Sequence, residues 1–314
     1  MHRLLLVGLG PLGKMMALDC ARRKVARVVA AVDTDPAIAG RPLAQVVPEC
    51  GFDVRVEQSL ADIKIWSDID CALVCTSSDL AKCAATFRDL LGRGVPIVST
   101  CEELLYPWLR HKALADELHT LALKNKVGLL GTGVNPGFLM DTLPVAASAV
   151  CRSVRRVHIW RIQDATTRRI PFQQKIGAGL DDAAFAAKIK AGTLRHVGLG
   201  ESLHFVAHYL GLNVDKWDET IEPVKATRDL TCTLGTIPKG HAAGVRQVGK
   251  GWAKGAAPGS EPVIQLEFQA AIGQTDPHDR VLLDSEPPID LVFKGGVHGD
   301  VRRWRSPSTV SGRC

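Results

Sequence analysis

Leu4-Leu5-Leu6-Val7-Gly8-Leu9-Gly10-Pro11-Leu12-Gly13 lies close to the start of the chain and decides its fold. Leu4–Gly8 is an apolar run without polar alternation, as expected of a strand covered on both faces. Leu12–Lys24 then carries helical spacing. Between them sits a Gly-x-Gly-x-x-Gly pattern. Its first glycine permits a tight turn, the second lets backbone approach a pyrophosphate, and the third allows close helix–strand packing. The helix N-terminus offers free N–H groups to phosphates. Gly8, Gly10, Pro11, Leu12 and Gly13 are therefore candidate cofactor-binding residues. Asp33 stands twenty residues beyond the last glycine, at the end of a second apolar run, Val28–Val32. A carboxylate at that place accepts hydrogen bonds from an adenosine ribose. Its charge repels a 2′-phosphate, which favours NAD, while Thr34 and Arg41 nearby leave NADP open.

Working outward, the alternation continues. Apolar runs at Cys71–Cys75, Val95–Val98 and Val127–Leu130 are separated by helical stretches at Leu80–Leu91 and His111–Lys124. Strand–helix alternation of this kind predicts a doubly wound parallel sheet. Such sheets place ligands at the carboxyl ends of their strands. Thr76, Ser77 and Ser78 follow one run and are expected near a nicotinamide ribose; Ser99-Thr100-Cys101-Glu102-Glu103 follows the next. Gly131-Thr132-Gly133-Val134-Asn135-Pro136-Gly137-Phe138 reads as a hinge-like crossing into a second domain. Beyond it, Val154–Ile162, Arg228–Leu234, Gly244–Trp252, Val263–Ile272 and Ile289–Phe293 read as strands. Leu180–Lys190 and Leu203–Leu210 read as helices. That mixture predicts an α+β domain with a mixed or antiparallel sheet. The expected division is 1–135, 136–294 and a return segment, 295–314.

Composition narrows the classes. The 314 residues are 46% hydrophobic and 23% charged, the balance of an ordinary globular protein of two domains. No apolar run is long enough to span a bilayer. The opening apolar residues run straight into glycines without a cleavage-site pattern, so a cytoplasmic location is expected. The net charge of +6 falls to +2 without the four arginines of 301–314. There is no basic stripe interleaved with aromatics, and nucleic acid is not an expected partner. Nine scattered cysteines include no Cys-x-x-Cys pair, which argues against zinc and against a disulfide framework. His204 and His208 stand at i, i+4 but lack a third ligand, so no metal is expected.

In the second half, Lys175 beside Gly177 and Gly179, just ahead of a helix, is the candidate cradle for a substrate carboxylate. Glu201 and Ser202 read either as a helix cap or, for Glu201, as an ammonium- or proton-handling acid. The tail 301–314 changes texture. Read two nucleotides later, with CGN arginine and TCN serine codons, it spells small and aliphatic residues. A frame shift near Val301 that replaces a C-terminal helix is expected. Coding DNA with no alternative open frame running past the stop codon would overturn it.

The assembled motifs resemble the 2,4-diaminopentanoate dehydrogenase family, relatives of dihydrodipicolinate reductase. The carrying stretches are Gly8–Gly13, Ser99–Trp108, Gly131–Pro144, Lys175–Gly179, His196–Leu199 with Glu201-Ser202, and Gly295–Asp300. The resemblance covers residues 1–300. It implies an N-terminal Rossmann domain, a catalytic and oligomerising second domain, and a homo-oligomer. The implied reaction is NAD(P)-dependent oxidative deamination of 2,4-diaminopentanoate to 2-amino-4-oxopentanoate. Within that frame the cofactor lies on Gly8–Gly13 and Asp33, its nicotinamide between Thr76–Ser78, Glu102 and Thr132–Asn135. Asn135 joins Lys175, Gly177 and Gly179 as a substrate-binding residue. Glu102, Glu201 and His298 are the candidate proton acceptors. Phe172–Gly179 lacks the histidine pair of the reductases. An imine reductase and a non-catalytic NAD(P)-sensing regulator are the alternatives.

Overall fold

A computed structural model describes residues 1–297. His298 and the expected frame-shifted tail, 301–314, lie outside the described residues. The chain divides into two compact units, Met1–Asp141 with Val197–Phe205, and Thr142–His196 with the remainder from Val206.

The first unit is built on β1 (His2–Val7), α1 (Pro11–Arg23), β2 (Ala26–Val32), α2 (Leu43–Val46), β3 (Val56–Glu57), β4 (Cys71–Val74), α3 (Leu80–Gly92), β5 (Ile97–Ser99), α4 (Lys112–Asn125) and β6 (Leu129–Gly131). All neighbouring strands are parallel, in the order β3-β2-β1-β4-β5-β6. The continuous apolar runs of β1 and β2 reflect cover on both faces. Leu5, Val7, Ala30, Val32, Ala72 and Val74 pack with Leu80, Phe87 and Leu91 of α3 and Leu118 of α4. Leu6, Val28 and Ala31 face the other way, onto Ala17 of α1. The strand order reverses between β1 and β4, and a ligand crevice opens at such a switch point.

The second unit holds α5 (Thr142–Ala147), β7 (Ser153–Asp164), α6 (Ile170–Lys175) and α7 (Asp182–Lys190). After α8 (Leu199–Tyr209) come β8 (Val214–Lys225), β9 (Leu230–Cys232), β10 (Gly235–Ile237), β11 (Ala242–Ala253), β12 (Ile264–Ala271), β13 (His278–Glu286) and β14 (Ile289–Lys294). Its six-stranded sheet runs β14-β13-β7-β12-β11-β8, parallel between β7 and β12 and antiparallel elsewhere. β9 and β10 form a separate hairpin. The mixed sheet agrees with the expectation, although β8 and β13 are additions to it. On the buried face, Arg161 of β7 sits directly opposite Asp279 of β13, Nη1 to Oδ1 at 2.7 Å. Together they grip the Val297 peptide: Arg161 Nη2 donates to its carbonyl, and its N–H donates to Asp279 Oδ2 at 2.6 Å.

One expectation changes. The first unit continues to Asp141 and takes α8 through Phe205, whereas a boundary at 135 was expected. The 131–141 crossing is closed on itself. Leu139 N donates to the Val134 carbonyl, and Gly137 N to Asp141 Oδ2 at 2.8 Å. A Cβ on Gly137 would strike the Gly133 backbone, so this glycine serves close approach within a tight turn. Among the described residues, no helix is long and apolar enough to cross a membrane.

Candidate functional site

The loops at the carboxyl ends of β1, β2 and β4 enclose a cleft of about 540 Å³, lined among others by Gly8, Gly10, Asp33, Thr34, Ser59 and Thr76. Each glycine of the β1 loop has its own steric reason. Gly8 has φ +92°, and a Cβ there would lie 2.8 Å from the Cys75 carbonyl oxygen. A Cβ on Gly13 would run into the Gly8 carbonyl, because α1 starts hard against the strand. Nothing lies within 4 Å of where a Gly10 Cβ would stand. That residue leaves its backbone open to the cleft, as a phosphate-binding turn requires. Pro11 occupies the first turn of α1, where its missing N–H costs nothing, and no side chain caps the helix. The first-turn amides lack intrahelical acceptors and face the place an anion would take.

Asp33 is fixed from both sides. Its Oδ2 accepts from Leu9 N at 2.5 Å and its Oδ1 from Asp35 N at 2.8 Å. Each oxygen keeps further acceptor capacity, so the carboxylate is oriented without being saturated. Thr76 lines the cleft, while Ser77 Oγ accepts from Asp79 N ahead of α3. The Ser78 carbonyl accepts from Glu103 N. Burial pushes the Cys75 thiol up to about 11, which makes it a poor nucleophile.

Along the same sheet edge, the segments after β5 and β6 meet the N-terminal turn of α8. Thr132 N donates to the Ser99 carbonyl. Glu103 is engaged structurally: its Oε2 accepts from Leu80 N at 2.9 Å, at the start of α3, and pairs with His111 Nε2 at 3.0 Å. Glu102, in the same short turn, is half-buried. A Cβ on Gly198 would strike the ring of Pro136, next to Asn135, and Ser202 Oγ donates to Asp141 Oδ2 at 2.9 Å. Glu201 lies inside α8, which begins earlier than the expected 203, and its Oε1 accepts from Arg110 Nε at 2.7 Å. Burial lowers the pKa of His204, one turn further on, and its Nδ1 meets the Gly200 carbonyl at 2.9 Å.

The carboxylate cradle expected at Lys175, Gly177 and Gly179 is corrected by this geometry. Gly177 N donates to the Gln174 carbonyl, Ala178 N to Gln173 and Gly179 N to Ala242, so the three amides are already occupied. The following helix is capped by its own anion, Asp181, which accepts from Ala184 N. Lys175 is exposed. The glycines serve packing instead: a Cβ on Gly177 would press on Leu194 and Phe185. Of the named residues, the structure thus gathers Gly8, Gly10, Asp33 and Thr76 at one cleft and places Glu102, Thr132, Asn135 and Glu201 on segments along the same edge. Lys175, Gly177 and Gly179 belong to the other unit, and His298 lies outside the described residues. Arg110, Asp141 and the pairing of Ser202 were absent from the sequence reading. Arg110 stands two residues beyond the motif quoted from that loop, and its partner is 91 residues away.

Comparison with known proteins gives the same architecture a lineage. 2,4-Diaminopentanoate dehydrogenase of Acetoanaerobium sticklandii is 25% identical over 303 residues, spanning 95% of this chain and 85% of that protein. An amine dehydrogenase of Streptomyces virginiae is 23% identical, over 91% of this chain and 75% of that one. Among solved structures, an amine dehydrogenase from Mycobacterium smegmatis shares the fold with a TM-score of 0.75 at 19% identity, covering 95% of this chain and 87% of the other. Residues 138–303 match the family model described as the 2,4-diaminopentanoate dehydrogenase C-terminal domain. Since that match takes in more than half of its residues, the chain belongs to the 2,4-diaminopentanoate dehydrogenase family.

Proposed function

We propose that this protein is an NAD(P)-dependent dehydrogenase acting on the CH–NH2 group of an amino acid, and that it converts 2,4-diaminopentanoate to 2-amino-4-oxopentanoate. The observation that carries the reading is the β1–β2–β4 cleft, with an open backbone at Gly10 and an oriented carboxylate at Asp33. The names borne by the family's relatives support the choice of an amine as substrate. Gly10, Pro11, Leu12 and Gly13 would hold the pyrophosphate, Asp33 the adenosine ribose, and Thr76 the far side of the cleft. A carboxylate oriented in this way favours NAD over NADP, whose 2′-phosphate it repels. The bound nicotinamide supplies the hydride acceptor, and the protein supplies orientation and proton handling.

An amine loses hydride only after its nitrogen is neutral, so a carboxylate must first take a proton from the ammonium. Glu102, half-buried in the short turn after β5 and on the sheet edge where the cleft opens, is the carboxylate assigned this role. Water then hydrolyses the imine to ketone and ammonia. The test is reduced-nicotinamide absorbance with 2,4-diaminopentanoate and NAD or NADP in turn, beside an NADH titration of Gly10→Glu. Growth of the signal with the wild type and loss of NADH binding in the variant are expected. A variant that binds NADH like the parent would show that the cofactor lies elsewhere.

A further inference from the structure

We propose that Arg110 and Glu201 form the subsite that recognises the α-amino acid head group of the substrate, an inference that rests on the amine-dehydrogenase reading above. The two residues come from different segments, Arg110 from the loop behind β5 and Glu201 from the first turn of α8. They meet through one hydrogen bond, Arg110 Nε to Glu201 Oε1 at 2.7 Å. The bond uses one edge of each group.

What is left over on each side defines the ligand. Glu201 is 1% exposed, and its Oε2 is buried without a hydrogen-bond partner among the described residues. A buried carboxylate oxygen in that state is destabilising unless something completes it. Arg110 is 32% exposed, and among the described residues Glu201 is the partner of its guanidinium. Its two Nη groups retain the planar fork that matches a carboxylate. A cationic fork beside an anionic oxygen is the complement of a zwitterion. The substrate carboxylate lies on the Arg110 Nη groups, and its α-ammonium on Glu201 Oε2.

Placement agrees with this. The packing of Gly198 on Pro136 and the Ser202–Asp141 bond seat the start of α8 at the carboxyl ends of β5 and β6. That is the edge on which the cofactor cleft opens, and ligands of open parallel sheets bind along it. Burial lowers the pKa of His204, one turn from Glu201, which disfavours a competing cation there. The pair therefore determines specificity: it selects an amino acid whose distal amine reacts over a simple alkylamine. This takes over the task expected of the Lys175 loop, whose amides are occupied.

Norvaline, which keeps the head group and lacks the C4 amine, is the binding probe, read by calorimetry against wild type, Arg110→Met and Glu201→Gln. Glu201→Gln retains an oxygen for Arg110 and removes only the charge. Norvaline is expected to bind the wild type and to weaken at least about tenfold in each variant. The preference for 2,4-diaminopentanoate over 2-aminopentane should fall by a similar factor, through KM. Norvaline that fails to bind the wild type, or binds all three alike, overturns the subsite. So does a loss of both substrates in parallel with a lower melting temperature, which would make the pair a structural clip. Norvaline binding without nicotinamide reduction by any amine would remove the dehydrogenase reading and leave the subsite standing. Turnover of 2-aminopentane with no norvaline binding would do the reverse.

Discussion

His158 sets part of this protein's response to acid. Its ring stacks on Trp160 with centroids 3.4 Å apart, and its Nε2 stands 3.0 Å from Gln265 Nε2, which makes the ring an acceptor there. Burial lowers its pKa to about 4; Glu267 opposes the shift, and Arg280, Arg246 and Lys250 add to it. The unfolded imidazole titrates near its ordinary value of about 6.5. Between these values the unfolded chain binds the extra proton, so stability falls as pH drops from about 6.5 towards 4 and levels off below. His158→Gln keeps an acceptor for Gln265 and should flatten that decline, read as urea midpoints at pH 7 and 4.5. Equal declines in both proteins would exonerate His158. Individual residues were legible in the sequence where their meaning is local. Gly8, Gly10 and Gly13 stand at fixed spacing within one strand–helix turn, and Asp33 at a fixed offset from them. Arg110 was not legible, because its meaning is created by Glu201 far along the chain.

The buried Arg161–Asp279 pair ties β7 to β13 and clamps the chain where it leaves β14 at Val297. Breaking such a pair strands a charge in the interior, at a cost of about 3–5 kcal/mol. Asp279→Ala should therefore lower unfolding free energy by that order, whereas truncating the exposed Glu261 should change it little. Denaturant titrations of the two variants decide it, and comparable losses would refute the argument. The apolar strands of the first sheet read correctly because cover on both faces leaves an unbroken run. β8 did not read as a strand: Asp215, Lys216, Asp218, Glu219 and Glu222 crowd the edge of the second sheet. Edge strands carry such charges to discourage pairing with other chains. α8 was placed too late because Gly198 and Gly200 resemble a loop, although the helix starts at Leu199 between them.

Three passages of the chain between the units, after Asp141, His196 and Phe205, interleave them. The complete six-stranded parallel sheet is already present by residue 131, yet the unit it belongs to is not. Asp141 still lacks Ser202, Pro136 lacks Gly198, and Arg110 lacks Glu201. A fragment ending at Asp141 should unfold at lower denaturant and with a broader transition than the first unit within the full chain. Equal midpoints would show that Val197–Phe205 adds nothing. A boundary at 135 follows contiguous texture, which does not show that a short internal segment, Val197–Phe205, returns to the first unit. During synthesis, the ribosome must deliver the whole of 142–196 before the first unit can close. The same arrangement denies evolution a simple cassette: an exchange of the N-terminal coding block between genes would carry off the sheet and leave behind the helical turn that finishes it.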